Sequence, residues 1–329
     1  MLFLAPMASI TDLPYRLLFR KHLGVDGVVS ELISSHGIFY KDRKTLKMCE
    51  YHPDERPVYG QIFGYDIPKL VFAAKFLQDM GYDGVDLNLG CPVQKVVQKG
   101  GGAGMLRDIP ALLATLESIK KAISIPFSIK IRLGWDSDGI NAHQVVGFAK
   151  ELGIERVSIH GRTRQQGYKG QANWELMREV AYAFPNFVIG NGDLRSLEMV
   201  RECKRDAPFL GIMIGRAALS YPWIFQEVRL GKKLHILPEQ IMELLRTYLE
   251  YVCIYFPQNS HYIQLRFKKM ASWLSYGLPY ASKFRAEIFK LQCENQQSMI
   301  QYAEEFFGAC GQDEFSNREL EAIYHGGEG

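Results

Sequence analysis

Short runs of β-branched and apolar residues recur along the chain, each followed by a longer stretch whose apolar positions return at helical spacing. The runs occupy residues 2–5, 27–30, 58–62, 84–89, 127–131, 156–159, 187–189 and 210–214. Two of the intervening stretches, IPKLVFAAKFLQDMG and IPALLATLESIKKAI, read as amphipathic helices, and the first ends on Gly81 where a helix C-cap favours glycine. Eight β–α units in about 230 residues match the size and rhythm of an α/β protein built as a (β/α)8 TIM barrel. A doubly wound open sheet is the alternative. Against it, the first run is followed by APMASITD and not by a G-x-G-x-x-G turn.

Beyond Arg229 the strand-like runs stop, and LPEQIMELLRTYLEYVCIYF begins a series of helical, aromatic-rich segments. The expected organisation is therefore a catalytic barrel over residues 1–230 and a smaller all-helical domain over residues 231–329. The second part carries ten basic against twelve acidic residues, which argues against general stickiness for polyanions. Its segment 261–290 differs. There Arg266, Lys268, Lys269, Lys283, Arg285 and Lys290 face Glu287 alone, interleaved with Tyr262, Phe267, Trp273, Tyr276 and Tyr280. Basic residues alternating with aromatics suit phosphate contacts beside stacking surfaces, or else form a solvated face over an aromatic core.

In a barrel, the residues ending the eight runs converge on one face, where barrel enzymes keep their chemistry. Here that set is Pro6 and Met7, Glu31, Gln61, Asn88 and Cys91, Lys130 and Arg132, His160 and Arg162, Asn191 and Asp193, Gly215 and Arg216. The last two loops, GNGD and GRAA, expose backbone N–H groups with Arg216 beside them, as a phosphate-bearing cofactor requires. Cys91, between Gly90 and Pro92, is a candidate acid or nucleophile, or a small buried hydrophobe. Lys130 interrupts an apolar strand and needs an anionic partner or a lowered pKa, as a Schiff-base former or as a fixed cation. His160 faces the same ring, followed by a basic, aromatic loop with Arg162, Arg164, Tyr168 and Lys169. The glycines at 100–102 and 104 lack the G-K-[ST] of a phosphate-hydrolysing loop.

Composition narrows the classes. The chain of 329 residues is 47% hydrophobic and 23% charged, as soluble globular proteins are. No apolar run is long enough for a membrane span, and the start lacks the basic and apolar regions of a secretory signal, so a cytoplasmic protein is expected. The six cysteines are scattered without the close pairs of zinc or iron–sulfur sites, which predicts neither disulfides nor metal.

APMASITDLPYR, VYGQIFG, DLNLGCP, KIRLGWD, IHGRTRQQGYKG, NGDL and IGRAA, in this order, resemble the bacterial tRNA-dihydrouridine synthases over residues 1 to about 227. LRFKKM and WLSYGLP resemble that family's basic helix more loosely. The resemblance implies an FMN-dependent, NADPH-consuming enzyme that reduces the C5–C6 double bond of a uridine in folded tRNA, with Cys91 as proton donor. It implies Pro6, Met7 and Ala8 against the flavin, and Gln61, Lys130 and His160 at its ring. Asn191, Gly192, Asp193, Gly215 and Arg216 would hold its ribityl and phosphate end. Asn88, Arg162, Arg164, Tyr168, Arg266, Lys268 and Lys269 are the expected substrate and RNA contacts, on a monomer. Gly104 stands where relatives often carry serine. Two other readings remain: an FMN oxidoreductase acting on a free pyrimidine, and a non-catalytic RNA-binding barrel.

Overall fold

The computed structural model describes residues 1–98, 100–291, 296–311 and 315, together with all side chains among them except that of Lys95. Cys293 and the end of the expected helical domain lie outside the described residues. Nine parallel strands form one sheet: β1 (Leu2–Leu4), β2 (Gly27–Val29), β3 (Ile33–Ser34), β4 (Val58–Phe63), β5 (Gly84–Leu89), β6 (Phe127–Arg132), β7 (Arg156–His160), β8 (Val188–Asn191) and β9 (Gly211–Ile214). Pairing of β1 with β9 and of β2 with β4 closes eight of them into a barrel, and the two-residue β3 runs alongside the end of β4. The expected (β/α)8 barrel is therefore present, and the eight sequence runs fall on its eight strands.

Alternation along the strands sorts side chains between two environments. Val85, Leu87 and Leu89 of β5, Ile129 and Ile131 of β6, and Val157 and Ile159 of β7 are wholly buried. The intervening positions, Asp86 and Asn88, Ser128, Lys130 and Arg132, Ser158 and His160, are polar. Contacts between strands that are not neighbours show that this polar set faces the barrel interior. Arg156 of β7 lies over the rings of Phe3 and Tyr59, and Lys130 of β6 reaches Asn191 of β8.

The outer helices are set by caps and by spacing. Asp66 and Asp108 accept hydrogen bonds from Lys69 N and Ala111 N at the starts of Ile67–Asp79 and Ile109–Ala122. The first helix buries Leu70, Ala73, Ala74 and Leu77, and the second Leu112, Thr115, Leu116 and Ile119. Both sets follow the i, i+3, i+4, i+7 stripe that covers a sheet, and each buried leucine contributes roughly 1.5–3 kcal/mol. Gly81 has φ +87° just past the first helix, as its C-cap role requires.

The chain divides into two compact units: Met1–Lys21, Val25–Leu194 and Glu198–Gly215 in the first, and His22–Gly24, Arg195–Leu197 and the chain from Arg216 onward in the second. Residues 216–230, grouped with the barrel in the sequence reading, pack with the second unit. That unit contains the helices Pro238–Tyr255, Ser260–Leu274, Ala281–Ile288 and Gln296–Gly308. No helix among the described residues is long and apolar enough to cross a membrane.

One buried ion pair ties the first long helix, Leu13–His22, to the turn Pro53–Glu55. Arg16 Nε is 2.6 Å from Glu55 Oε2, with both side chains almost wholly buried. The remaining guanidinium nitrogens donate to the carbonyls of Thr11 and Glu50, and Glu55 also accepts from His52 N. Removing one partner strands the other charge. Glu55→Gln should therefore destabilise the barrel by about 3–5 kcal/mol, read as a lower midpoint in chemical denaturation of the barrel signal.

Candidate active site

The polar interior positions end in a ring at the C-terminal mouth of the barrel. Strand register sets Gln61 beside Asp86, Asn88 beside Lys130, Arg132 beside His160, His160 beside Asn191, and Asn191 beside Met213. Side chains spread over 150 residues of sequence are thus neighbours because parallel strands bring their ends together.

Cys91 is held by this ring. Asn88 Oδ1 accepts from Cys91 N at 2.9 Å and from Gly90 N at 3.2 Å, folding the loop after β5 back over its own strand. Asn88 Nδ2 donates to Gln61 Oε1 at 2.8 Å, and Gln61 Nε2 donates to Asp86 Oδ2 at 2.7 Å. Ser128 Oγ donates to the other oxygen of Asp86 at 2.6 Å. Burial raises the Cys91 thiol above its ordinary pKa, against the smaller opposing effects of the Val93 N–H, Arg132 and Lys130. The group is a protonated thiol near neutral pH, suited to giving a proton and poorly suited to acting as a nucleophile.

Lys130 lies at the centre. Its ammonium donates to Asn191 Oδ1 at 3.2 Å, while Asn191 Nδ2 donates to Met213 O. Burial and the neighbouring Arg132 pull its pKa down to about 8, against the attraction of Asp86. A half-buried cation bonded to a neutral amide is poised to receive an anion or an electron-rich carbonyl edge.

The loop after β7 is fixed by two arginines. Arg162 is 2% exposed and makes a bidentate pair with Asp193, at 3.0 and 2.8 Å. It also donates to Lys169 O and Gly170 O, and lies 3.3 Å from His160 Nε2. Arg132 donates to Gly90 O, Thr163 O and Gly167 O, joining the Cys91 loop to the 163–170 loop. Tyr168 is half exposed, its ring 6.0 Å from that of His160 and under the Arg132 guanidinium. Arg164 stacks on Trp135, its Nε buried without a hydrogen-bond partner among the described residues.

The remaining expected residues divide by unit. Pro6 and Met7 are half-buried and Ala8 exposed just past β1, and a Cβ on Gly215 would stand 3.4 Å from Ala5 Cβ and 3.8 Å from Met7 Sδ. Arg216 is the first residue of the second unit's long segment. Within that unit Arg266 is buried and donates to Tyr248 Oη, Lys268 is buried and donates to Leu291 O, and Lys269 is half-buried. Lys283 and Lys290 are exposed, and Arg285 stacks on Tyr276. Asp86 and Ser128 carry no sequence motif, although their alternation with aliphatic residues marks them as interior. No cluster of metal-ligating residues occurs among the described residues.

Gly192 closes the mouth between His160 and the segment after Gly170. Its φ is +132°, and a Cβ there would stand 2.6 Å from Ala172 Cβ and 3.1 Å from His160 Cδ2. Gly192→Ala should cost about 1–3 kcal/mol through backbone strain and overpacking. Thermal melts are the check, with Ala172→Gly on the same background recovering part of the loss.

Residues 3–309 match the family model described as dihydrouridine synthase. Among curated proteins, the chain is 34% identical to tRNA-dihydrouridine synthase B of Pseudomonas aeruginosa over 301 residues, covering 90% of each chain. It is also 34% identical to tRNA-dihydrouridine synthase B of Pseudomonas syringae pv. tomato, covering 98% of this chain and 96% of the relative. A probable tRNA-dihydrouridine synthase of Rickettsia typhi matches at 34% identity, covering 87% of this chain and 88% of the relative. Among solved structures, a 2-naphthoyl-CoA reductase complex superposes with a TM-score of 0.53 at 13% identity, covering 70% of this chain and 50% of that one, a likeness of fold alone. The chain belongs to the dihydrouridine synthase family.

Proposed function

We propose that this protein is a tRNA-dihydrouridine synthase, reducing the C5–C6 bond of uridine in folded tRNA with FMN and NADPH. The observation that carries the reading is a protonated Cys91 thiol held by Asn88 beside the half-buried Lys130 cation. FMN suits the residues around it: Lys130 offers a cation bonded to a neutral amide, and Ala5, Met7 and Gly215 leave a cradle that a larger residue at 215 would narrow. When bound, FMN supplies a hydride to uracil C6 at the expense of NADPH. Pro6, Met7 and Ala8 would line its face, Lys130 and His160 its ring, and Asn191, Gly192, Asp193, Gly215 and Arg216 its ribityl and phosphate end; Gln61, wholly buried and bonded to Asp86 and Asn88, would act on the ring's surroundings through Asn88. In this assignment Asp193 acts through Arg162, since the bidentate pair occupies both carboxylate oxygens.

Uracil's C5=C6 bond is conjugated to the C4 carbonyl, so addition at C6 leaves negative charge at C5. Cys91 delivers its proton there, with Asn88 fixing the loop that carries the sulfur. Lys130 balances charge at the mouth. The base must leave its stack to enter, at a cost of a few kcal/mol. Contacts to the rest of the RNA offset this cost: Asn88, Arg164 and Tyr168 near the entering nucleotide, and the basic face of the helical unit with its phosphates. In that unit Lys269 is half-buried and Lys283 and Lys290 are exposed, while Arg266 and Lys268 tie its helices together.

Unmodified bulk tRNA incubated with the protein and NADPH should yield dihydrouridine by nucleoside mass spectrometry. Cys91→Ala should lower the rate by about 10²–10⁴-fold. Reduction of free uracil with no product on tRNA would overturn the RNA assignment. A second outcome concerns pH. Lys130 carries its charge only below about 8, so FMN binding measured by fluorescence quenching should weaken as pH rises from 7 to 9, approaching tenfold. Lys130→Met should bind weakly and without that dependence.

A further inference from the structure

We propose that Asp86, buried in the barrel, is a positioning residue that, together with the N–H donors of the Cys91 loop, sets the polarity of the hydrogen-bond chain Asp86–Gln61–Asn88 and forbids its reversal, so that the chain holds the Cys91 segment. The proposal rests on the reading of Cys91 as proton donor for its significance, though its test does not depend on activity.

Two amides stand in series between two fixed ends. At the inner end is the Asp86 carboxyl, whose pKa burial raises against the opposing hydrogen bonds from Ser128 and Gln61 and the charges of Arg156 and Lys130; it accepts from Ser128 Oγ and Gln61 Nε2, and in its ionised form has no hydrogen to give. At the outer end are the backbone N–H groups of Gly90 and Cys91, which can only donate. An acceptor at one end and donors at the other admit one orientation of both amides: Gln61 gives its NH2 to Asp86 and its oxygen to Asn88, and Asn88 gives its NH2 to Gln61 and its oxygen to the loop. Gln61 is fully buried and Asn88 and Asp86 nearly so, so water is excluded from repairing a reversed link. No other step in this series is free to choose its direction.

The direction can be tested by reversing it. Asn88→Asp retains an acceptor for Gly90 N and Cys91 N but places a second acceptor opposite Gln61 Oε1. Gln61 could turn its NH2 toward residue 88 only by aiming its oxygen at the Asp86 carboxylate. Asp86→Asn removes that obstacle: residue 86 then donates to Gln61 and still accepts from Ser128, and the chain runs consistently in the opposite sense.

Amide hydrogen exchange at Gly90 and Cys91, resolved by fragmentation mass spectrometry on the flavin-loaded protein, reads the result. Exchange should accelerate roughly tenfold in Asn88→Asp, change by less than about threefold in Asp86→Asn, and return to within about threefold of the parent in the double variant. Gln61→Met should accelerate exchange by itself, and this expectation also holds the proposal to account if Asn88→Asp does not fold. On the double-variant background Gln61→Met should abolish the rescue. Failure of the double variant to restore protection would overturn the proposal, and so would a rescue that survives loss of Gln61, which would be simple relief of charge repulsion. Exchange reports the loop whether or not uridine is reduced, whereas the Cys91→Ala assay tests proton donation, so the two readings fail separately.

Discussion

Putting Asp86, Lys130, Arg132 and Arg156 on inward-facing strand positions obliges the barrel to satisfy every one of them away from water. A charge left alone there would cost several kcal/mol, a large part of the margin by which a domain is stable. Each is met differently. Arg156 lies against the rings of Phe3 and Tyr59 beside Glu155, Asp86 takes two hydrogen bonds, Lys130 takes an amide, and Arg132 takes three carbonyls. These solutions are also what fixes the mouth. The carbonyls that satisfy Arg132 belong to the two loops flanking the site, and the amide that satisfies Lys130 is anchored on β9.

Rigidity at the mouth therefore has an electrostatic origin as much as a packing one. The 163–170 loop carries few apolar residues, and its place is set by the Arg132 and Arg162 hydrogen bonds and by the Asp193 pair. Planar guanidinium groups suit this task because five directed donors can span several carbonyls at once. A lysine at either position would satisfy charge without fixing direction.

Much of this was legible in the sequence. The strand runs, helix stripes and caps are local patterns, and the eight strands fall where the apolar runs do. The ring of Asn88, Cys91, Lys130, His160, Asn191 and Asp193 followed from asking what ends each run, because parallel barrel topology turns strand order into a spatial order. What periodicity could not give was partner choice. Arg162, Arg266 and Lys268 read equally well as solvent-facing cations, yet each has its head group engaged by a partner 31, 18 or 23 residues away in sequence, which local periodicity does not identify: Asp193, Tyr248 and Leu291. Asp86 is hard to single out from sequence for the opposite reason, since a lone acid in an apolar run carries no motif, although its alternation with Val85 and Leu87 marks it as interior.

The same burial acts on Cys91 and Lys130 with opposite sign on pKa and the same sense on charge, favouring the neutral thiol and the neutral amine. The two are not equally committed. A thiol raised above its usual value holds its proton throughout the neutral range, whereas an ammonium brought down to about 8 still carries charge near pH 7 and gains more from any anion brought beside it. An arriving negative charge therefore strengthens the cation without dislodging the thiol proton. That asymmetry suits the proposed reduction at its second step: charge developing on the substrate would be stabilised by Lys130, and the thiol would hold its proton until a carbon base far stronger than water takes it. A depressed thiol pKa would invert the order, leaving a thiolate that competes for the cation and has no proton to give.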